Sequence, residues 1–151
     1  MLSNIDLDKM ATTEGISLVG IFSKDELPPR PRNGNYIINL QDADDGNGTH
    51  WSVFKIFPNK KCCYFDSYGI FAPTDVNEFL SPFKPIATSN RAIQDIKSQK
   101  CGYFCLAFIE YFNNFDYKKN DVYDAFDDFL NSFSNNPKQN DKIVMEMLNK
   151  Y

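Results

Sequence analysis

Residues 94 to 105, Gln94-Asp-Ile-Lys-Ser98-Gln-Lys-Cys101-Gly102-Tyr-Phe-Cys105, constrain the fold more than any other stretch, because a polar, lysine-bearing loop turns there into a strongly apolar segment. In the following run to Phe112, Cys105, Phe108, Ile109 and Phe112 share one helical face, which predicts a buried helix over 101–113 with Cys101 on its first turn. A thiol at that place faces the free backbone N–H groups and the positive end of the helix dipole, both of which favour the thiolate. Such a sulfur is a nucleophile in search of a base.

His50 is the only histidine in the chain, in Gly48-Thr49-His50-Trp51. The residues after it, 51 to 57, alternate as a largely buried strand does, so His50 lies at the strand's beginning, after an Asp-Asp-Gly-Asn-Gly loop. A second apolar run, Cys62-Cys-Tyr-Phe-Asp66, follows a Pro58-Asn-Lys-Lys61 turn, which predicts an antiparallel hairpin. Pairing about that turn brings His50 beside Asp66, an imidazole next to a carboxylate that can orient it and hold its charged form.

These residues resemble the adenain-like cysteine proteases, the maturation proteases of adenoviruses and of related virophage and polinton-type elements. The resemblance rests on Gly48-Thr49-His50-Trp51, Tyr64-Phe65-Asp66-Ser67-Tyr68-Gly69 and Gln94-x3-Ser98-x2-Cys101-Gly102-x-Phe104-Cys105 in that order, and it covers roughly residues 15 to 112. It implies that His50 is the general base, Asp66 its orienting acid and Cys101 the nucleophile. Gln94 and the Cys101 backbone N–H would form the oxyanion hole, and Gly48, Trp51 and Gly102 would line the substrate cleft. It also implies an α+β papain-like fold: a small, mostly antiparallel central sheet flanked by helices, with the nucleophile at the N-terminus of a buried helix. The expected activity is that of a viral thiol endopeptidase, trimming capsid or core precursors after small residues such as glycine during virion maturation. Its place would be the host cytoplasm and the virion. Proteases that remove ubiquitin-like modifiers share the His, Asp, Gln, Cys-Gly order and are the nearest alternative; a noncatalytic binding module on the same scaffold is another. Many adenain relatives carry glutamate where this chain has Asp66, so the shorter side chain requires closer strands.

Composition bounds the rest. A length of 151 residues with 42% hydrophobic and 24% charged residues predicts one soluble domain spanning 1–151. Neither an apolar run long enough for a membrane span nor a secretory signal is evident. Four cysteines in such a chain read as thiols, and Cys62 and Cys63 on opposite faces of a strand cannot chelate one metal. With one histidine and no Cys-x2-Cys pair, no zinc site is expected. The net charge of −4 argues against the DNA cofactor of adenoviral members, since phosphate binding needs a basic surface. The connection from 70 to 93 has no cysteine, so the covalent peptide tether of those enzymes has no counterpart. No cofactor is required by the sequence, and a monomer is expected.

Further elements are a short helix within residues 3–10, a surface loop over the proline-rich 27–34, and a strand over 35–40. A mobile loop is expected over 41–48, then a helix over 73–80 with Thr74 or Asp75 near its cap and a strand over 86–93 that delivers Gln94. Two amphipathic helices finish the chain, through Val122, Phe126, Phe129, Leu130 and Phe133 and then through Ile143, Val144, Met147 and Leu148. Taken one at a time, each site residue has a structural alternative. Cys101 could be a small buried hydrophobe, His50 a satisfied core residue and Asp66 a turn former. Cys105, one turn inside the helix on the apolar face, is a poor nucleophile because burial raises its pKa.

Overall fold

The computed structural model describes residues 1–41 and 50–149. Among them the chain forms helix α1 (Asn4–Thr13), strands β1 (Gly20–Ser23), β2 (Gly34–Asn39), β3 (Trp51–Ile56) and β4 (Cys62–Phe65), and helix α2 (Thr74–Phe79). Strand β5 (Ala87–Thr88) and helices α3 (Cys101–Phe112), α4 (Val122–Asn131) and α5 (Asn140–Met147) complete it. The strands make one sheet in the order β1-β2-β3-β4-β5.

The central strands are nearly continuous apolar runs because both sheet faces are covered. Ile37, Val53, Cys63 and Phe65 face a core built with α1, α3, α4 and α5. Their neighbours Tyr36, Ile38, Phe54, Ile56, Cys62 and Tyr64 face the opposite side, under Val76 and Leu80 at α2. Each fully buried large side chain contributes about 1.5–3 kcal/mol, so a one-residue slip of the central strands would exchange both faces at high cost.

The hairpin predicted from the Pro58–Lys61 turn forms as β3 and β4, antiparallel from Val53↔Phe65 to Ile56↔Cys62. Its turn closes through Phe57 N–H to Lys61 O (2.9 Å) and Lys60 N–H to Phe57 O (3.0 Å). Helix α3 lies on this hairpin, and rings fix it there. Phe108 stacks on Phe65 at 5.9 Å, while Phe129 of α4 meets both rings edge-on, at 5.2 Å from Phe65 and 5.9 Å from Phe108. Lys55, a charged residue inside a buried strand, reaches the far end of α3 and donates to the Phe112 carbonyl (3.1 Å), which also accepts from the Phe115 N–H (3.3 Å).

The expected α+β arrangement of a small, mostly antiparallel sheet flanked by helices is present: β2–β3 and β3–β4 are antiparallel, and the shorter edge pairings β1–β2 and β4–β5 are parallel, because both edge strands join the sheet through crossovers rather than tight turns. Finer expectations require correction. Strand β1 was not anticipated. The strand expected over 86–93 is reduced to Ala87–Thr88; Ser89 still donates its N–H to the Tyr64 carbonyl at 3.2 Å, while its hydroxyl binds the backbone of Asp66. Thr74 and Asp75 open α2 beside its N-cap, Pro73, which makes no side-chain cap bond. The loop expected over 41–48 falls, beyond Gln41, outside the described residues, and so does Gly48.

Candidate active site

His50 immediately precedes β3, and Asp66 immediately follows β4, so the hairpin sets both at one end of the sheet. Asp66 is fully buried, while the imidazole keeps 14% of its surface exposed. His50 Nε2 lies 2.9 Å from Asp66 Oδ1. The same carboxylate oxygen accepts from the Tyr68 backbone N–H at 2.8 Å, which closes an Asx turn. Gly69 completes the turn, donating its N–H to Asp66 O at 2.9 Å. Its φ is +75°, and a Cβ there would stand 2.6 Å from the Arg91 carbonyl, so this position admits only glycine without strain.

Cys101 opens α3 and is 1% exposed. Nε2 is engaged by Asp66, and the buried Nδ1 has no hydrogen-bond partner among the described residues. The Cys101 side chain is near enough to raise the His50 pKa. Burial pushes the His50 pKa down, but Asp66 and Cys101 together outweigh it and the pKa rises to about 9. The ring is thus an imidazolium at neutral pH, with both nitrogens as donors.

Gln94 is buried, held by a clamp the sequence did not disclose. The Ser67 carbonyl accepts from the backbone N–H groups of both Ile93 and Gln94 at 2.8 Å, and the Ser67 hydroxyl donates to Gln94 Oε1. Gln94 Nε2 donates to Ser98 O and Ser98 Oγ, each at 3.1 Å. The expected oxyanion donor is therefore engaged within its own loop in the resting state. One of these bonds must open before the amide can serve a new acceptor.

Of the residues expected to line the cleft, Trp51 borders an open cavity of about 530 Å³ with the N-terminal segment and β1, and Gly102 lies beneath that segment. Trp51 is 3% exposed and its indole N–H donates to the Leu2 carbonyl at 3.0 Å. Gly102 is buried beneath Leu2 and Leu7, whose methyls would stand 3.0 and 3.1 Å from an added Cβ. The N-terminal segment packs against both. An open groove of about 330 Å³ runs between this segment and residues Lys97–Lys100, reaching the start of α3.

The remaining three thiols are buried in the core. Cys62 and Cys63 face opposite cores, and burial pushes both thiols far up. Cys105 is likewise raised well above the ordinary value by burial. No group of three or more His, Cys, Asp or Glu that could hold a metal ion is found among the described residues. None of the described helices is long and apolar enough to cross a membrane.

Sequence reasoning missed the roles of Ser67, Tyr68, Ser89 and Asp141. Ser67 and Tyr68 stood inside the Tyr64–Gly69 run, where alternating polarity gave no hint of their contacts. Ser89 and Asp141 act across 23 and 43 residues of sequence, a separation that periodicity does not reach.

Fold and site together define an α+β domain in which an imidazole and a buried carboxylate pair at one end of a five-stranded sheet, with a cysteine at the start of the helix packed on that sheet. No protein-family description and no curated protein matches the chain. Among solved structures it is similar to the crystal structure of the ASFV pS273R protease, with 22% sequence identity and a TM-score of 0.41. The match covers 75% of this chain and 45% of that one, so this chain spans under half of that protein's length.

Proposed function

We propose that the protein is a viral cysteine endopeptidase in which Cys101 is the nucleophile, His50 the acid–base group and Asp66 its orienting acid. The observation that carries this reading is the position of the sole imidazole, hydrogen-bonded to the buried Asp66 carboxylate on one side and acting on the Cys101 side chain on the other. The ordered motifs that resemble the adenain-like proteases support it independently.

In this reading the Cys101 thiolate attacks the scissile carbonyl carbon, forming a C–S bond as the carbonyl π electrons move to oxygen. The His50 imidazolium protonates the departing amine, the C–N bond breaks and a thioester remains. The imidazole, now neutral, takes a proton from water, which adds to the thioester and releases the carboxylic acid and the thiolate. Asp66 keeps Nε2 protonated and aims Nδ1 at the sulfur throughout. The Cys101 backbone N–H, and Gln94 once freed from Ser98, would donate to the oxyanion, each donor being worth about 3–4 kcal/mol.

The substrates we propose are capsid or core precursors cut after small residues during particle maturation, in the host cytoplasm and the virion, by a monomer. The motif resemblance supports the substrate class. The test is cleavage of a glycine-rich capsid-precursor peptide. Cys101→Ala and His50→Ala should abolish turnover, while Cys105→Ala, at a buried and inert thiol, should retain it. Full activity of Cys101→Ala would refute the assignment.

A further inference from the structure

Tyr68 contacts each functional part of the site, and the proposed chemistry leaves it without a role. Its ring lies 4.6 Å from the His50 ring, centroid to centroid, at 29°. Its backbone N–H shares Asp66 Oδ1 with the imidazole. Its hydroxyl donates to the Ser98 carbonyl at 3.1 Å, the same oxygen that holds Gln94 Nε2. Ser98 is fixed in turn: its hydroxyl accepts from Lys100 N–H at 3.1 Å and donates to Asp141 of α5 at 2.7 Å.

We infer that Tyr68 is a positioning residue, holding the His50 ring by face-to-face packing and coupling that ring, through its hydroxyl and Ser98, to the loop that carries Gln94. The inference rests on the protease reading for the roles of His50, Gln94 and Cys101. The physical argument is independent of it. An imidazole bound at Nε2 alone can still swing about that bond, and only contact with its face stops the swing. A π-face against the ring also favours its cationic form. The hydroxyl keeps the tyrosine plane from turning away, so that stack and tether act as one unit. Burial raises the Tyr68 pKa, which keeps the hydroxyl protonated as a donor. The ionisable groups facing His50 are Asp66 and Cys101, and those facing Tyr68 are Cys101, Asp66, Asp141 and Asp95.

The route through Ser98 has a consequence for substrate binding. To serve an oxyanion, Gln94 Nε2 must release an acceptor on Ser98, and the tyrosine hydroxyl is then the bond that keeps the Ser98 carbonyl in place. Loop and imidazole thus remain in register while the amide turns.

The test compares the wild type with Tyr68→Phe, which keeps the stack and loses the tether, and Tyr68→Leu, which loses both. Two readouts are needed: the NMR titration of His50, the only histidine in the chain, and the rate of Cys101 alkylation by iodoacetamide at pH 7. Tyr68→Leu should lower the His50 titration midpoint by about one pH unit and slow alkylation about tenfold. Tyr68→Phe should leave the midpoint in place and slow alkylation about threefold, since the ring still covers the imidazole. A purely structural role would move the unfolding midpoint and leave the His50 titration unchanged. Equal alkylation rates in any two of the three proteins, or an unmoved titration in Tyr68→Leu, would overturn the inference. A wild type whose Cys101 reacts no faster than an ordinary thiol would instead overturn the protease reading, so the two failures are distinct.

Discussion

At the scale of single residues, the His50 ring sets the electrostatics of the site. Its pKa is raised to about 9 against an ordinary value of 6.5, so the folded state binds the proton more tightly than the unfolded chain. The stabilisation from this charge is therefore complete below pH 6.5 and is lost as pH rises through about 9. Urea unfolding should show the stability gap between wild type and His50→Ala closing over that interval. Cleavage should fall over the same rise, because the ring that must protonate the leaving amine is then neutral. Gln94 gives a second prediction at this scale. Gln94→Ala should lower kcat about a hundredfold while changing KM little, because its amide would act on the oxyanion and not on the bound substrate. A kcat within about twofold of wild type would show that the amide never leaves Ser98.

At the scale of elements, the hairpin and α3 were the most legible parts of the chain. Period-two alternation over 51–57, a polar turn at 58–61 and period-3.6 spacing after Cys101 are local signals, and each element formed where its pattern lay. The failures were long-range. The four residues of β1 offer no pattern that separates them from loop, and β5 spans only Ala87–Thr88, beside Ser89, whose pairing with Asp66 is a tertiary contact. The surroundings of Trp51 and Gly102 were hidden for a related reason. Nothing local in Met1-Leu2-Ser3 says that Leu2 will pack over α3 and accept from the Trp51 indole. The Asp66–Gly69 turn joins the two scales, since it places the carboxylate and the Ser67 clamp together. Gly69→Ala forces a side chain into the Arg91 backbone at a positive φ and should cost about 1–3 kcal/mol in urea unfolding. An unchanged midpoint would mean that the turn relaxes freely.

At the scale of the whole molecule, the sheet covered on both faces holds the proposed site in place. The hairpin carries His50 and Asp66, rings from α3 and α4 hold α3 against it, and α5 fixes the Gln94 loop through Asp141 and Ser98. The order of the motifs suggests which residues act together, but it carries no trace of the polar framework behind them. Hydrogen bonds among serines leave no periodic trace, whereas apolar faces do. The most direct measurement is the rate of Cys101 labelling by iodoacetamide at pH 6, followed by mass spectrometry in the wild type and in His50→Ala. The account predicts rapid stoichiometric labelling of Cys101 in the wild type, slowed about a hundredfold when the imidazole is removed. Equal labelling rates in the two proteins, or a Cys101 as inert as Cys62 and Cys63, would contradict it.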